Sequence, residues 1–228
     1  MITIAIDGFS STGKSTLAKQ LAKHLGYVFV DTGAMYRAVT LFALQNNCVE
    51  NGILNAQKLI ENLLNISLQF QFNETLGYSE MFLNDKNVET EIRTLEVSNY
   101  VSKVAEISQV RAKLVEQQQE MGKNKGIVMD GRDIGTVVFP DAELKIFMTA
   151  SPEIRAQRRF EELSSKDETI DFEEVYKNVQ ERDYIDTHRK DSPLKMAEDV
   201  IEIDNSYITR EDQFKLVLEM VDEITKSK

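Results

Sequence analysis

Ile2-Thr3-Ile4-Ala5-Ile6-Asp7-Gly8-Phe9-Ser10-Ser11-Thr12-Gly13-Lys14-Ser15-Thr16 opens the chain and decides its fold. Residues 2–6 are apolar or β-branched without alternation, as a strand buried on both faces of a parallel sheet is. The run breaks at Asp7-Gly8. From Lys14 onward, Leu17, Ala18, Leu21, Ala22 and Leu25 recur at helical spacing until Gly26 ends the pattern. Between strand and helix, Gly8 to Ser15 fits G-x-x-x-x-G-K-[ST], in the context that motif requires. Its glycines let successive N–H groups turn inward, and the helix N-terminus adds partial positive charge, so the loop is built to cradle phosphates. Lys14 is placed to reach β- and γ-phosphates, and the Ser15 hydroxyl to meet magnesium. The stretch therefore predicts a nucleoside triphosphate held by Gly8, Phe9, Ser10, Ser11, Thr12, Gly13, Lys14, Ser15 and Thr16, with Mg2+ at Ser15.

Moving outward, Tyr27-Val28-Phe29-Val30 reads as a second strand ending at Asp31, followed by an amphipathic helix with Met35, Val39, Phe42 and Ala43 on one face. Strand and helix in alternation predict an α/β fold with a parallel sheet. Residues 50–90 differ: a helical stretch over 55–64, strict alternation over 66–72, and a short strand and turn at Met81-Phe82-Leu83 predict a small antiparallel insert. The α/β rhythm then resumes, with a long helical stretch over 91–122 broken near Ser108 and strands at 127–130 and 144–148. Ser151-Pro152 opens a helix, Ser as cap and Pro at the first position. Residues 164–169 read as a polar, mobile loop, 172–190 as a helix, 200–203 as a last strand and 210–226 as a last helix.

Composition narrows the function classes. The chain has 228 residues, enough to bury a full core, and 38 acidic against 27 basic residues give a net charge of −11. Bulk charge therefore disfavours binding to nucleic acid. The single cysteine, Cys48, forms no internal disulfide and fits a reducing compartment; with only His24 and His188 beside it, no zinc site is available. No apolar run approaches the ~20 residues of a membrane helix, and the N-terminus lacks the pattern of a signal peptide. These features predict a cytoplasmic globular protein.

Arginine is the other signal. Arg37 follows the second strand and Asp130-Gly131-Arg132-Asp133 closes the third, so both lie where parallel sheets bind ligands. The guanidinium fork suits phosphate, and a second phosphorylated ligand accounts for both. A surface residue at Arg37 and a salt-bridged loop at 130–133 are the plainer alternatives. Arg155, Arg158 and Arg159 share a helix face just before the polar loop, where a closing lid would bring charge onto a transferring phosphoryl group; they could equally pair with Glu161 and Glu162. Arg182, Asp186 and Arg189 form one stripe, either for helix salt bridging or for a sugar hydroxyl and phosphate.

At these residues the chain resembles the bacterial cytidylate kinases, nucleoside monophosphate kinases. The resemblance rests on residues 8–16, on Asp31 to Arg37, on Asp130 to Pro140, on Glu181-Arg182-Asp183 with Asp186 and Arg189, and on Glu91 to Thr94 with Ser102 and Arg111. It covers essentially the whole chain. It implies one P-loop kinase domain: a five-stranded parallel core (about 1–48, 91–163 and 190–228), a monophosphate-binding insert (about 49–90) and a short lid (about 155–189). It implies transfer of the γ-phosphoryl group of ATP to CMP or dCMP by a monomer. By position, Ser102, Arg111 and Asp133 read cytosine; Arg37, Arg132 and Arg189 hold the CMP phosphate; Arg182 and Asp186 contact the sugar. Thr32, where serine is common, contacts CMP too. Lys14, Arg132, Arg158 and Arg159 carry the catalytic charge. Phe9 stands where proline is common, at a variable position of the loop.

The mechanism is sound chemistry apart from the family. Phosphoryl transfer needs positioning and charge neutralisation, and an acceptor that is already a phosphate oxyanion needs no strong base. A kinase for another small acceptor shares these features. A nucleotide-dependent switch fits less well, because no Asn-Lys-x-Asp guanine signature is present.

Overall fold

A computed structural model describes residues 1–165 and 170–226. In chain order its first elements are β1 (Thr3–Gly8), α1 (Lys14–Leu25), β2 (Val28–Asp31), α2 (Thr32–Gln45), β3 (Val49–Glu50), β4 (Ile53–Leu54) and α3 (Ala56–Glu61). Then come β5 (Leu68–Asn73), β6 (Tyr78–Leu83), β7 (Lys86–Asn87), α4 (Leu95–Ala105), α5 (Ser108–Met121) and β8 (Ile127–Gly131). The rest are β9 (Leu144–Thr149), α6 (Pro152–Ser164), α7 (Phe172–His188), β10 (Ile201–Asp204) and α8 (Arg210–Lys226). The expected loop at 164–169 falls mostly on residues 166–169, outside the described residues. Two compact units emerge, Met1–Asp31 with Gln118–Lys228, and Thr32–Gln117.

The first unit holds a five-stranded sheet in the order β10-β9-β1-β8-β2, every neighbouring pair parallel. β1 is its middle strand and is buried throughout, which is why its sequence is apolar without alternation. Ile4, Ile6, Val128, Ile146 and Met148 meet Leu17, Leu21 and Val217 of α1 and α8 in the core. Serine begins α6 as the sequence implies: Ser151 Oγ accepts from Ile154 N at 3.3 Å, with Pro152 at the first position. After β8 the chain makes a single π-helical turn, Ile134–Val138.

The second unit, wider than the 49–90 insert, contains the antiparallel sheet β5-β6-β7 and the short pair β3-β4. Its helix α2 differs from the amphipathic reading: residues 34–43 are all buried, the charged Arg37 among them. The long helical stretch is three pieces, a 3₁₀ turn Glu91–Arg93, α4 and α5, with the break before Ser108 as expected. Thr94 caps α4 by accepting from Val97 N.

Candidate active site

Parallel register brings Asp31 level with Asp130 and Asp7 level with Gly131, so three strands deliver carboxylates to the same end of the sheet. The phosphate-type loop leaves β1 at that end. Gly8 has φ 143°, and a Cβ there would lie 2.0 Å from the Met148 carbonyl oxygen, so only glycine lets β1 run this close to β9. Gly13, at φ 86°, turns the chain into α1. Phe9, in place of proline, packs edge-on against Phe147 and lies under the Arg155 guanidinium, 5.0 Å away.

Lys14 is buried and folds back over the loop, donating to the Phe9 carbonyl at 2.5 Å and to Thr12 Oγ1 at 3.4 Å. Burial, reinforced by Arg132, holds its amine well below the ordinary lysine value despite the nearby Asp130 and Asp7. Ser15 Oγ donates to Asp130 Oδ2 at 2.6 Å. Burial, with Asp31 adding repulsion, pushes the Asp130 carboxyl up to about 7.

Beside the loop sits an arginine cluster. Arg132 Nε donates to Asp186 Oδ2 at 2.9 Å, and Arg189 lies 3.9 Å from Asp186 and 3.8 Å from Asp133. Arg189 also donates twice to the Ser192 carbonyl, at 2.8 and 2.6 Å. Arg182 is buried with its Nε unpartnered among the described residues, and burial followed by Arg132 brings it down to about 10. Burial works to raise Asp186, but Arg132, Arg182 and Arg189 outweigh it and hold the carboxyl below the ordinary aspartate value. Three guanidiniums, those of Arg182 and Arg189 buried and that of Arg132 partly so, thus share two carboxylates next to the buried Lys14. Such a gathering of guanidiniums beside the loop fits an anionic ligand that carries phosphate.

The shared face on α6 resolves into three different fates. Arg155 is paired with Asp183 of α7. Arg158 donates to Asn205 Oδ1 at 3.0 Å and to the Asn205 carbonyl at 2.9 Å. Arg159 pairs with Glu162 at 2.8 Å, the helix-face pairing that was the plainer reading. Arg158 and Asn205 line a cavity of about 80 Å³ with Thr12, Thr16, Gln20 and Arg210, at the outer edge of the loop and the first turn of α1.

In the second unit, Arg37 Nη1 donates to Ser98 Oγ at 3.0 Å and to the Ile92 carbonyl at 3.3 Å. Arg111 donates to the Ala105 carbonyl at 3.3 Å and lies over the Tyr36 ring, 5.6 Å from its centre. Thr32, at the start of α2, and Ser102, one turn beyond Ser98 on α4, are buried.

A family model described as cytidylate kinase matches residues 4–223. The chain belongs to the cytidylate kinase family. The cytidylate kinase of Flavobacterium psychrophilum is 72% identical to this kinase over 223 residues, covering 98% of this chain and 99% of that one. That of Bacteroides thetaiotaomicron is 53% identical over 225 residues, covering 99% and 98%. A solved structure of an uncharacterized protein from Eubacterium ventriosum is similar in fold, with TM-score 0.50 at 12% identity and coverage of 97% and 98%.

Three residues of this kinase's site escape a reading of the sequence. Asp7 accepts from the backbone of Ile134 and Gly135, and a charged residue ending a buried strand was the available signal. Asn205 donates to the Thr12 carbonyl at 2.5 Å and to Gln213 at 2.8 Å, and nothing in its local sequence marks it. Ser98 is one serine among ordinary helix residues, identifiable only through Arg37. Among the described residues, no helix is long and apolar enough to cross a membrane.

Proposed function

We infer that this kinase transfers the γ-phosphoryl group of ATP to CMP and dCMP. The observation that carries the reading is the cluster of Arg132, Arg182 and Arg189 beside a phosphate-type loop with a buried Lys14, in a chain of this family.

Loop residues Gly8 to Thr16 hold the phosphates of ATP through backbone N–H groups, and Lys14 exchanges the Phe9 carbonyl for the β/γ-phosphates. Arg132 meets the acceptor phosphate together with Arg189; Arg182 and Asp186 hold the acceptor's sugar. Asp133 accepts from the exocyclic amine that distinguishes cytosine from uracil. By family resemblance, Thr32, Arg37, Ser102 and Arg111 also contact CMP. Arg158 and Arg159 supply positive charge on the donor side. These groups act by position and charge, and the acceptor oxyanion requires no general base.

A magnesium ion fits the donor set, since Ser15 and Asp130 offer hard oxygen ligands and such an ion takes its remaining partners from phosphates and water. When bound it supplies charge neutralisation on the β- and γ-phosphates. Monomeric action in the cytoplasm on free nucleotides, without nucleic acid, completes the reading; the net charge of −11 supports its last part.

The test is ADP release with ATP and magnesium against CMP, dCMP, UMP, AMP and no acceptor. Strong turnover with CMP and dCMP, weak with UMP and none with AMP is expected. Release independent of any acceptor would reduce the reading to an ATPase.

A further inference from the structure

We propose that Asp7 is a positioning residue for the acceptor nucleotide, its carboxylate fixing the turn that presents Arg132 and Asp133. The proposal rests on the acceptor reading above and adds a residue to it. By sequence, Asp7 belongs to the donor side, since it immediately precedes Gly8 of the phosphate-type loop. Its side chain points to another task. Oδ1 accepts from Ile134 N and Oδ2 from Gly135 N, both at 2.8 Å.

Those two N–H groups open the π-helical turn Ile134–Val138, and the first donors of a helical turn have no partner within it. The residue that precedes such a turn commonly satisfies them with its own side chain, and aspartate is among the best at doing so. Here that residue is Asp133, and its side chain makes no capping bond. Asp7, 127 positions away in sequence from Ile134, does the capping instead. The Asp133 carboxylate is thereby left on the side of Arg189, 3.8 Å away, within the arginine cluster. Had Asp133 capped its own turn, part of its acceptor capacity would be taken by the backbone. Gly135 fits this arrangement: a Cβ there would lie at contact distance, 3.4 Å, from Asp7 Oδ2 and more tightly, 3.2 Å, against Lys145 Cδ.

The arrangement is an expensive one, which argues for a purpose. Asp7 is buried near a like charge, Asp133, and burial is the main force pushing its carboxyl up to about 6. The charged groups acting on it are Asp133 on the turn and Lys14 on α1. A neutral side chain would serve the packing at less cost.

Asp7→Asn keeps the size and one acceptor while replacing the other with an amine that faces an N–H. The expected result is a rise of about tenfold or more in KM and Kd for CMP, on the scale of one charge-assisted hydrogen bond. KM for ATP is expected to rise several-fold less than KM for CMP, because Asp7 reaches Lys14 only through its charge but holds the turn by two hydrogen bonds. Asp7→Glu, which keeps the charge but displaces the carboxylate by one methylene, is expected to raise KM for CMP selectively as well. Combining Asp7→Asn with Asp133→Ala should raise KM for CMP by less than the product of the two single effects. Equal rises in KM for ATP and CMP, or a full product in the double variant, would overturn the positioning role. Absence of CMP-dependent ADP release by the unaltered chain would instead overturn the acceptor reading, and this proposal with it.

Discussion

Asp183 receives both terminal nitrogens of Arg155, at 2.9 and 2.6 Å, and so fastens α7 to α6. The Arg155 side chain is 3% exposed. It donates from Nε to the Ala150 carbonyl at 2.9 Å and covers the Phe9 ring. Removing one partner of such a pair strands the other as a buried charge, at a cost of about 3 kcal/mol. Asp183→Ala should therefore lower the urea midpoint strongly, and Asp183→Asn, which keeps one acceptor, less so. An unchanged midpoint in Asp183→Ala would show that the fork contributes nothing to stability.

A second prediction concerns pH and Asp130. Its carboxyl, at about 7 in the fold, stands well above the ordinary aspartate value of the unfolded chain. Between those two values the folded protein holds a proton that the unfolded chain lacks. The stability contributed by this group therefore falls as pH rises from about 4 through about 7, and is level above. Lys14 opposes it, because a depressed amine makes the fold gain stability as pH rises toward the ordinary lysine value. Comparing the nucleotide-free protein with Asp130→Asn isolates the aspartate. From pH 6 to pH 8 the native chain should lose thermal stability relative to the variant; parallel melting curves across that range would contradict the raised carboxyl.

How much of this could be read beforehand depends on the range of the contact. The strand–loop–helix from Ile2 to Leu25 was legible because motif, periodicity and caps all lie within one stretch. The same holds for Ser151-Pro152 and for the break before Ser108. The burial of α2 on every face was not legible, since Met35, Val39, Phe42 and Ala43 mark one buried face but do not reveal that Leu41 is covered too. Arginines at 155, 158 and 159 were equivalent in sequence, and only Asp183, Asn205 and Glu162 separate them. The π-helical turn depends on Asp7, so no local propensity announces it.

Lys14→Ala tests the donor loop. In the nucleotide-free protein the amine is buried against the Phe9 carbonyl and the Thr12 hydroxyl, and burial with repulsion from Arg132 outweighs the attraction of Asp130 and Asp7. Its removal relieves that burial, so the variant should fold at least as stably as the native chain. Turnover should fall by about two to three orders of magnitude or more, the scale on which a single preorganised charge acts in a transition state. Native-like turnover would remove Lys14 from the transfer step.

The final prediction separates the two substrate sides by kinetics. Arg158 is tied by two hydrogen bonds to Asn205, which in turn holds the Thr12 carbonyl just ahead of Gly13 and Lys14. Burial, with Arg210 adding repulsion, holds its guanidinium below the ordinary arginine value, so a nearby anion would be welcome there. Arg158→Ala should slow transfer and raise KM for ATP about tenfold, the loss of one charge-assisted contact, with KM for CMP unmoved. Asp133 faces Arg189 in the other cluster. Asp133→Ala should leave KM for ATP nearly unchanged and shrink the preference for CMP over UMP by about tenfold or more, because a site built to accept from an amine discriminates against its absence. Measuring both nucleotides against both variants yields a crossed pattern. An ATP defect in Asp133→Ala equal to its CMP defect would move that carboxylate to the donor side, and a CMP defect in Arg158→Ala would dissolve the division between the two clusters.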